Sequence, residues 1–103
     1  MESKLLNTDL IYQVLSVVNE IPYGKVASYG QIAKLVGHPK HARLIGNILS
    51  HADYYGDYPC HRVVNHVGRI VPTWLKQKEY LLAEGIAFKN EFCVDMKKYQ
   101  WNL

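Results

Sequence analysis

The sequence of 103 residues predicts a mainly α fold: one compact domain (residues 1–103) built on a helix-turn-helix, with a small β-hairpin. Three observations point there. Apolar residues recur at helical spacing in separate short stretches. Two of those stretches are joined by a turn containing Gly37, the pattern of a helix-turn-helix. Val63-Val64 and Ile70-Val71 flank Asn65-His66-Val67-Gly68, as in a hairpin or a pair of extended segments. A composition of 49% hydrophobic and 20% charged residues supports a modest core without metals or disulfides.

Each element has its own local signal. Asn7 or Thr8 can cap a first helix, in which Leu10, Ile11, Val14, Leu15 and Val18 form one apolar stripe. Pro22 and Gly24 stop it, and Lys25-Val26-Ala27 is a short extended connector. Ser28 followed by Gln31 is a capping-box spacing, which predicts a second helix from Tyr29 to Val36, ended by Gly37. His38-Pro39 then starts a third helix through Ala52, with Ile45, Ile48, Leu49 and Ala52 inward. The helix-turn-helix therefore covers about residues 29–52. A fourth helix runs from about Trp74 to Glu84, with Thr73 as its cap, Leu75, Leu81 and Leu82 inward, and Gly85 as its stop. From Ile86 onward we expect a short extended segment and a docked tail, with Cys93 structural.

Charge is unevenly distributed. Between Ile21 and Lys78 the basic residues Lys25, Lys34, Lys40, Arg43, Arg62, Arg69, Lys76 and Lys78 face only Asp53 and Asp57, so this segment is +6 and the remainder −3. On the third helix, Arg43, Asn47 and Ser50 make a polar ridge without an acid. A basic helix-turn-helix attracts a polyanion, and duplex DNA is the expected partner. Lys34, Lys40, Arg43, Asn47 and Arg62 are the expected contacts.

Tyr58-Pro59-Cys60-His61-Arg62-Val63-Val64 puts a nucleophile, a base and a cation side by side. An imidazole and a guanidinium beside a thiol favour the thiolate; the alternative is that Cys60 is a small buried hydrophobe. Glu84 sits in a final helical turn, where the helix dipole disfavours a carboxylate. That local conflict makes it a candidate partner for His61.

The histidines His38, His41, His51, His61 and His66 suit no common zinc spacing, and Cys60 and Cys93 no redox motif, so neither metal nor cofactor is expected. Without a secretory signal or an apolar run of membrane-spanning length, the expectation is a soluble cytoplasmic protein, nucleoid-associated or nuclear if eukaryotic.

Residues 8 to 85 resemble the C-terminal, winged-helix-like domain of the O6-alkylguanine-DNA alkyltransferases and their relatives, the alkyltransferase-like proteins. The resemblance rests on Ile21-Pro22-Tyr23-Gly24-Lys25-Val26 with Ser28-Tyr29, on the Arg43 and Gly46 spacing, and on Pro59-Cys60-His61-Arg62-Val63. It implies minor-groove binding through the third helix. Arg43 would fill the gap left by an extruded nucleotide, and Tyr29 would help turn the base out. Cys60 would accept the alkyl group irreversibly, with His61 taking the thiol proton through a water and Glu84 holding the His61 tautomer.

Two features depart from the transferases. Ala52 stands where they carry asparagine, and Val71-Pro72-Thr73-Trp74-Leu75 replaces their glycine-rich substrate loop. We also expect no counterpart of their separate N-terminal domain. The alkyltransferase-like proteins share these departures and a Tyr-x-Trp tail like Tyr99-Gln100-Trp101, but usually lack the cysteine. Retention of Cys60 with His61, Arg62 and Glu84 favours a single-turnover methyl or alkyl transferase acting on O6-alkylguanine in duplex DNA. The alternative is a non-enzymatic sensor that hands such lesions to nucleotide excision repair. A monomer suffices for either.

Overall fold

The computed structural model describes residues 8–102, so Asn7, one of the two expected caps, lies outside the described residues. Helix α1 spans Thr8–Glu20 and buries Leu10, Ile11, Val14, Leu15 and Val18, the expected stripe. The chain then turns at Gly24, whose φ of +82° is the left-handed conformation that glycine adopts without strain, and enters strand β1, Ala27–Ser28. Helix α2, Tyr29–Leu35, begins with the expected capping box. Ser28 Oγ accepts from the Gln31 amide at 3.0 Å, and Gln31 Oε1 accepts from the Ser28 amide at 3.3 Å.

Helix α3, Ala42–Ser50, starts later than the proline signal suggests. The amides of Gly37 and His38 close the end of α2 by donating to Lys34 and Ala33 carbonyls, and the His41 amide bonds back to His38. Pro39 and Lys40 therefore belong to the turn. Ile45 and Ile48 are buried, while Arg43, Asn47 and Ser50 are exposed. After α3, Ala52–Tyr54 make one 3-10 turn.

The expected hairpin is replaced by a different pairing. Strand β2, Val63–Val64, lies parallel to β1 with Ala27 opposite Val63 and Ser28 opposite Val64. The turn at Asn65 does form, its side chain accepting from the Val67 and Arg69 amides. Beyond it, however, the Ile70 amide donates to Phe92 instead of to β2. The reason lies in burial: Val63 and Val64 are both fully covered, which suits a parallel pair inside the molecule better than a hairpin open on one face. Alternation along the strands then divides two cores. Ala27 and Val63 face the cluster formed with α1, α2 and α3. Val26 and Val64 face a second cluster with Ile70, Leu81, Ile86 and Val94.

Helix α4 spans Leu75–Ala83 with Trp74, not Thr73, at its N-cap. Its buried residues are Gln77 and Leu81, whereas Leu75 is 78% and Leu82 51% exposed. Only a narrow stripe of α4 meets the core, so two of the three leucines expected inside lie outside it. The tail docks as expected but contains a short helix α5, Met96–Tyr99, capped by Asp95. The end of the tail is tied to the connector before β1, the Trp101 amide donating to the Val26 carbonyl at 2.7 Å.

Candidate functional site

The sequence Cys60-His61-Arg62 forms a single 3-10 turn between Pro59 and β2, closed by the Arg62 amide donating to the Pro59 carbonyl at 3.0 Å. A turn this tight sends successive side chains in different directions. Cys60 and His61 line a cavity of about 730 Å³, while Arg62 runs the other way, to the end of α4. There its Nε donates to both carboxylate oxygens of Glu84, at 3.1 and 3.0 Å, and Nη1 to the Ile21 carbonyl at 2.8 Å. The guanidinium also lies 5.7 Å from the Tyr23 ring centroid. Arg62, expected at the DNA surface, thus has its donors committed inside the molecule, and its side chain is only 16% exposed.

Glu84 follows α4 as its C-cap. His61 Nε2 meets its Oε2 at 2.7 Å, and the Gly24 amide donates to Oε1 at 2.8 Å. Beside it, the Tyr23 hydroxyl donates to the Ala83 carbonyl at 3.0 Å. These donors answer the conflict between a carboxylate and the negative end of a helix. Burial works to raise the Glu84 pKa, but hydrogen bonds from Arg62, Gly24 and His61, together with the Arg62 charge, outweigh it and hold the carboxyl below its ordinary value. Glu84 is therefore an anion at neutral pH, and its partners hold it in place.

The thiol does not match the electropositive setting that sequence adjacency suggests. Burial first, and the Asp53 carboxylate second, push Cys60 up to about 11. The guanidinium of Arg62, two residues on, is turned to Glu84 and does not offset this. Tyr29, the first residue of α2, lines the same cavity, and its hydroxyl pKa is raised by burial and then by the charge of a Cys60 thiolate. Gly46 and Leu49 of α3 form one wall, and Trp74 and Tyr80 another. Tyr80 stands 5.3 Å from the His61 ring and 6.4 Å from Trp74, centroid to centroid.

The structure brings Tyr29, Cys60 and His61 together at the cavity, with Glu84 behind His61. Lys34, Lys40, Arg43 and Asn47 are exposed, the last two on the outer face of α3, whose Gly46, Leu49 and Ser50 line the cavity. Sequence reasoning missed Gln77. Fully buried, it accepts from the Val71 amide at 2.7 Å and donates to the His61 and Val63 carbonyls at 3.1 and 3.0 Å. It ties α4 to the backbone of the Cys60-His61-Arg62 turn. The one signal in the sequence was position: Gln77 falls one helical turn before Leu81, on the same face of α4.

The family described as "6-O-methylguanine DNA methyltransferase, DNA binding domain" matches residues 9–86. The DNA base-flipping protein of Escherichia coli strain K12 is 38% identical over 105 residues, covering 98% of this chain and 81% of the relative. Alkyltransferase-like protein 1 of Schizosaccharomyces pombe is 36% identical over 98 residues, covering 86% and 91%. The crystal structure of S. pombe Atl1 in complex with damaged DNA containing O6-carboxymethylguanine superposes with a TM-score of 0.85 at 33% identity, covering 95% of this chain and all of that one.

Proposed function

The chain belongs to the family of the O6-methylguanine DNA methyltransferase DNA-binding domain, and we propose that it binds damaged duplex DNA and turns O6-alkylguanine out into the Cys60 cavity as a non-enzymatic lesion binder. The observation that carries this is the cavity itself, about 730 Å³, lined by Gly46, Leu49 and Ser50 of the helix that presents Arg43 and Asn47. A flipped base needs such a pocket beside the element that enters the groove. The names of the E. coli and S. pombe relatives point the same way. A thiol pushed up to about 11 is a poor nucleophile at neutral pH, which favours binding over reaction. Bound lesions would pass to nucleotide excision repair proteins, and one chain per lesion suffices. The test is fluorescence anisotropy with matched duplexes carrying guanine or O6-methylguanine. Tighter binding of the damaged duplex, reduced in Arg43→Ala and Tyr29→Phe, is expected; equal affinities for the two duplexes would sink the reading.

A second reading, alkyl transfer, is favoured by the His61–Glu84 pair. A neutral His61 that donates from Nε2 to Glu84 has Nδ1 free to accept a proton. Cys60 Sγ would then attack the alkyl carbon and the carbon–O6 bond would break, its electron pair staying on guanine, which takes up the thiol proton relayed through His61. Intact mass after incubation with the O6-methylguanine duplex separates the readings. A gain of one methyl, absent in Cys60→Ala, establishes transfer; tight binding at unchanged mass rules it out.

A further inference from the structure

The cavity wall is asymmetric in charge. Asp53 and Asp57, both exposed, line it from the loop that leads out of α3 to Cys60. No lysine or arginine lines it among the described residues. Arg62, the nearest cation in sequence, has its donors on Glu84 and the Ile21 carbonyl. His61 lines the cavity with its Nε2 bonded to the Glu84 carboxylate. The other polar lining side chains, Tyr29, Tyr58, Tyr80 and Cys60, are of types that carry no positive charge. The negative potential reaches the floor: after burial, the Asp53 carboxylate is what raises the Cys60 thiol. Trp74 and Tyr80 add aromatic surface to the same lining.

Building on the lesion-binding reading above, we infer that this pocket selects O6 adducts by charge, accepting arms that are cationic or neutral and apolar and rejecting arms that end in a carboxylate. A cationic arm meets two carboxylates and aromatic faces, both of which attract it. An anionic arm meets the same carboxylates, and losing its hydration there goes uncompensated by any lysine or arginine of the lining. The S. pombe Atl1 complex contains O6-carboxymethylguanine, so the adduct bound to that relative is the one this pocket should disfavour.

The experiment measures anisotropy at fixed ionic strength with four duplexes of one sequence, carrying guanine, O6-methylguanine, O6-(2-aminoethyl)guanine or O6-carboxymethylguanine. The aminoethyl duplex should bind at least about tenfold more tightly than the carboxymethyl duplex, as expected for unit charges several ångströms apart in a partly hydrated site. In Asp53→Asn/Asp57→Asn the two affinities should converge to within about twofold. Carboxymethyl binding equal to or tighter than aminoethyl binding overturns the inference, and so does a preference that survives unchanged in the double variant. The uncharged pair reports separately: if O6-methylguanine binds no better than guanine, the lesion-binding reading itself fails.

Discussion

Glu84 and His61 meet at 2.7 Å, carboxylate oxygen to Nε2, at the point where the end of α4 meets the Cys60-His61-Arg62 turn. This pairing decides which imidazole nitrogen can act. With Nε2 committed to Glu84, Nδ1 is the nitrogen left to handle a proton. The carboxylate is in turn immobilised by Arg62 and by the Gly24 amide, so a turn near the end of α1 helps to orient His61 on the Cys60-His61-Arg62 turn.

Replacing Glu84 by Gln should therefore do more than remove a charge. Its side chain is 6% exposed and pairs with a 16% exposed Arg62, and the change leaves that largely covered guanidinium without an anion, at a cost of about 3 kcal/mol. Urea denaturation at neutral pH measures this. Since the folded-state pKa of Glu84 is lowered, its contribution is complete above the unfolded carboxylate value of about 4.3 and disappears as pH falls through the folded value. Wild-type protein should lose stability on acidification below about pH 4 more steeply than Glu84→Gln. Parallel acid limbs would show that Glu84 is not held as an anion.

Cys60 should behave as a protonated thiol. With a pKa of about 11, its alkylation by iodoacetamide should rise about tenfold per pH unit from pH 7 to 10, following the thiolate fraction. Peptide mapping distinguishes it from Cys93. Because the Asp53 carboxylate contributes to the rise, Asp53→Asn should lower the pKa and speed the reaction at pH 8. A rate already level at pH 8 would mean that the thiolate is stabilised after all.

What could be read from the chain was local or contradictory. The α1 stripe and the Ser28/Gln31 capping box involve residues within one or two helical turns, where spacing determines which side chains meet. Glu84 could be singled out because a carboxylate at a helix end runs against the dipole. The pairing of β1 with β2 could not: two-residue strands far apart in the chain carry no register signal. Nor could the Cys60 environment, because adjacency in sequence says little about adjacency in space when a 3-10 turn sends Cys60 to the cavity and Arg62 to Glu84.

Gln77 offers a stability test independent of charge. Its amide satisfies the Val71 amide and the His61 and Val63 carbonyls from a fully buried position. Gln77→Leu keeps roughly the volume but leaves three backbone groups without that partner, which should cost about 3 kcal/mol. The urea midpoint should fall without a change in slope. A neutral substitution would mean that water replaces the amide.

The exposed cations should separate general from lesion-specific binding. Lys34 and Lys40 are exposed on and just after α2, and removing a side chain that neutralises one phosphate should reduce the slope of log K against log salt by about 0.9. Lys34→Ala and Lys40→Ala should therefore weaken binding to damaged and undamaged duplexes alike, with shallower salt dependence. Arg43 lies on the outer face of α3 beside the cavity wall, and an arginine that takes the place of an extruded base acts only when a base is out. Arg43→Ala should cost the O6-methylguanine duplex more than the guanine duplex, narrowing the preference between them. If the three variants instead leave the salt slope and the preference untouched, the basic face of the helix-turn-helix is not the surface that meets DNA.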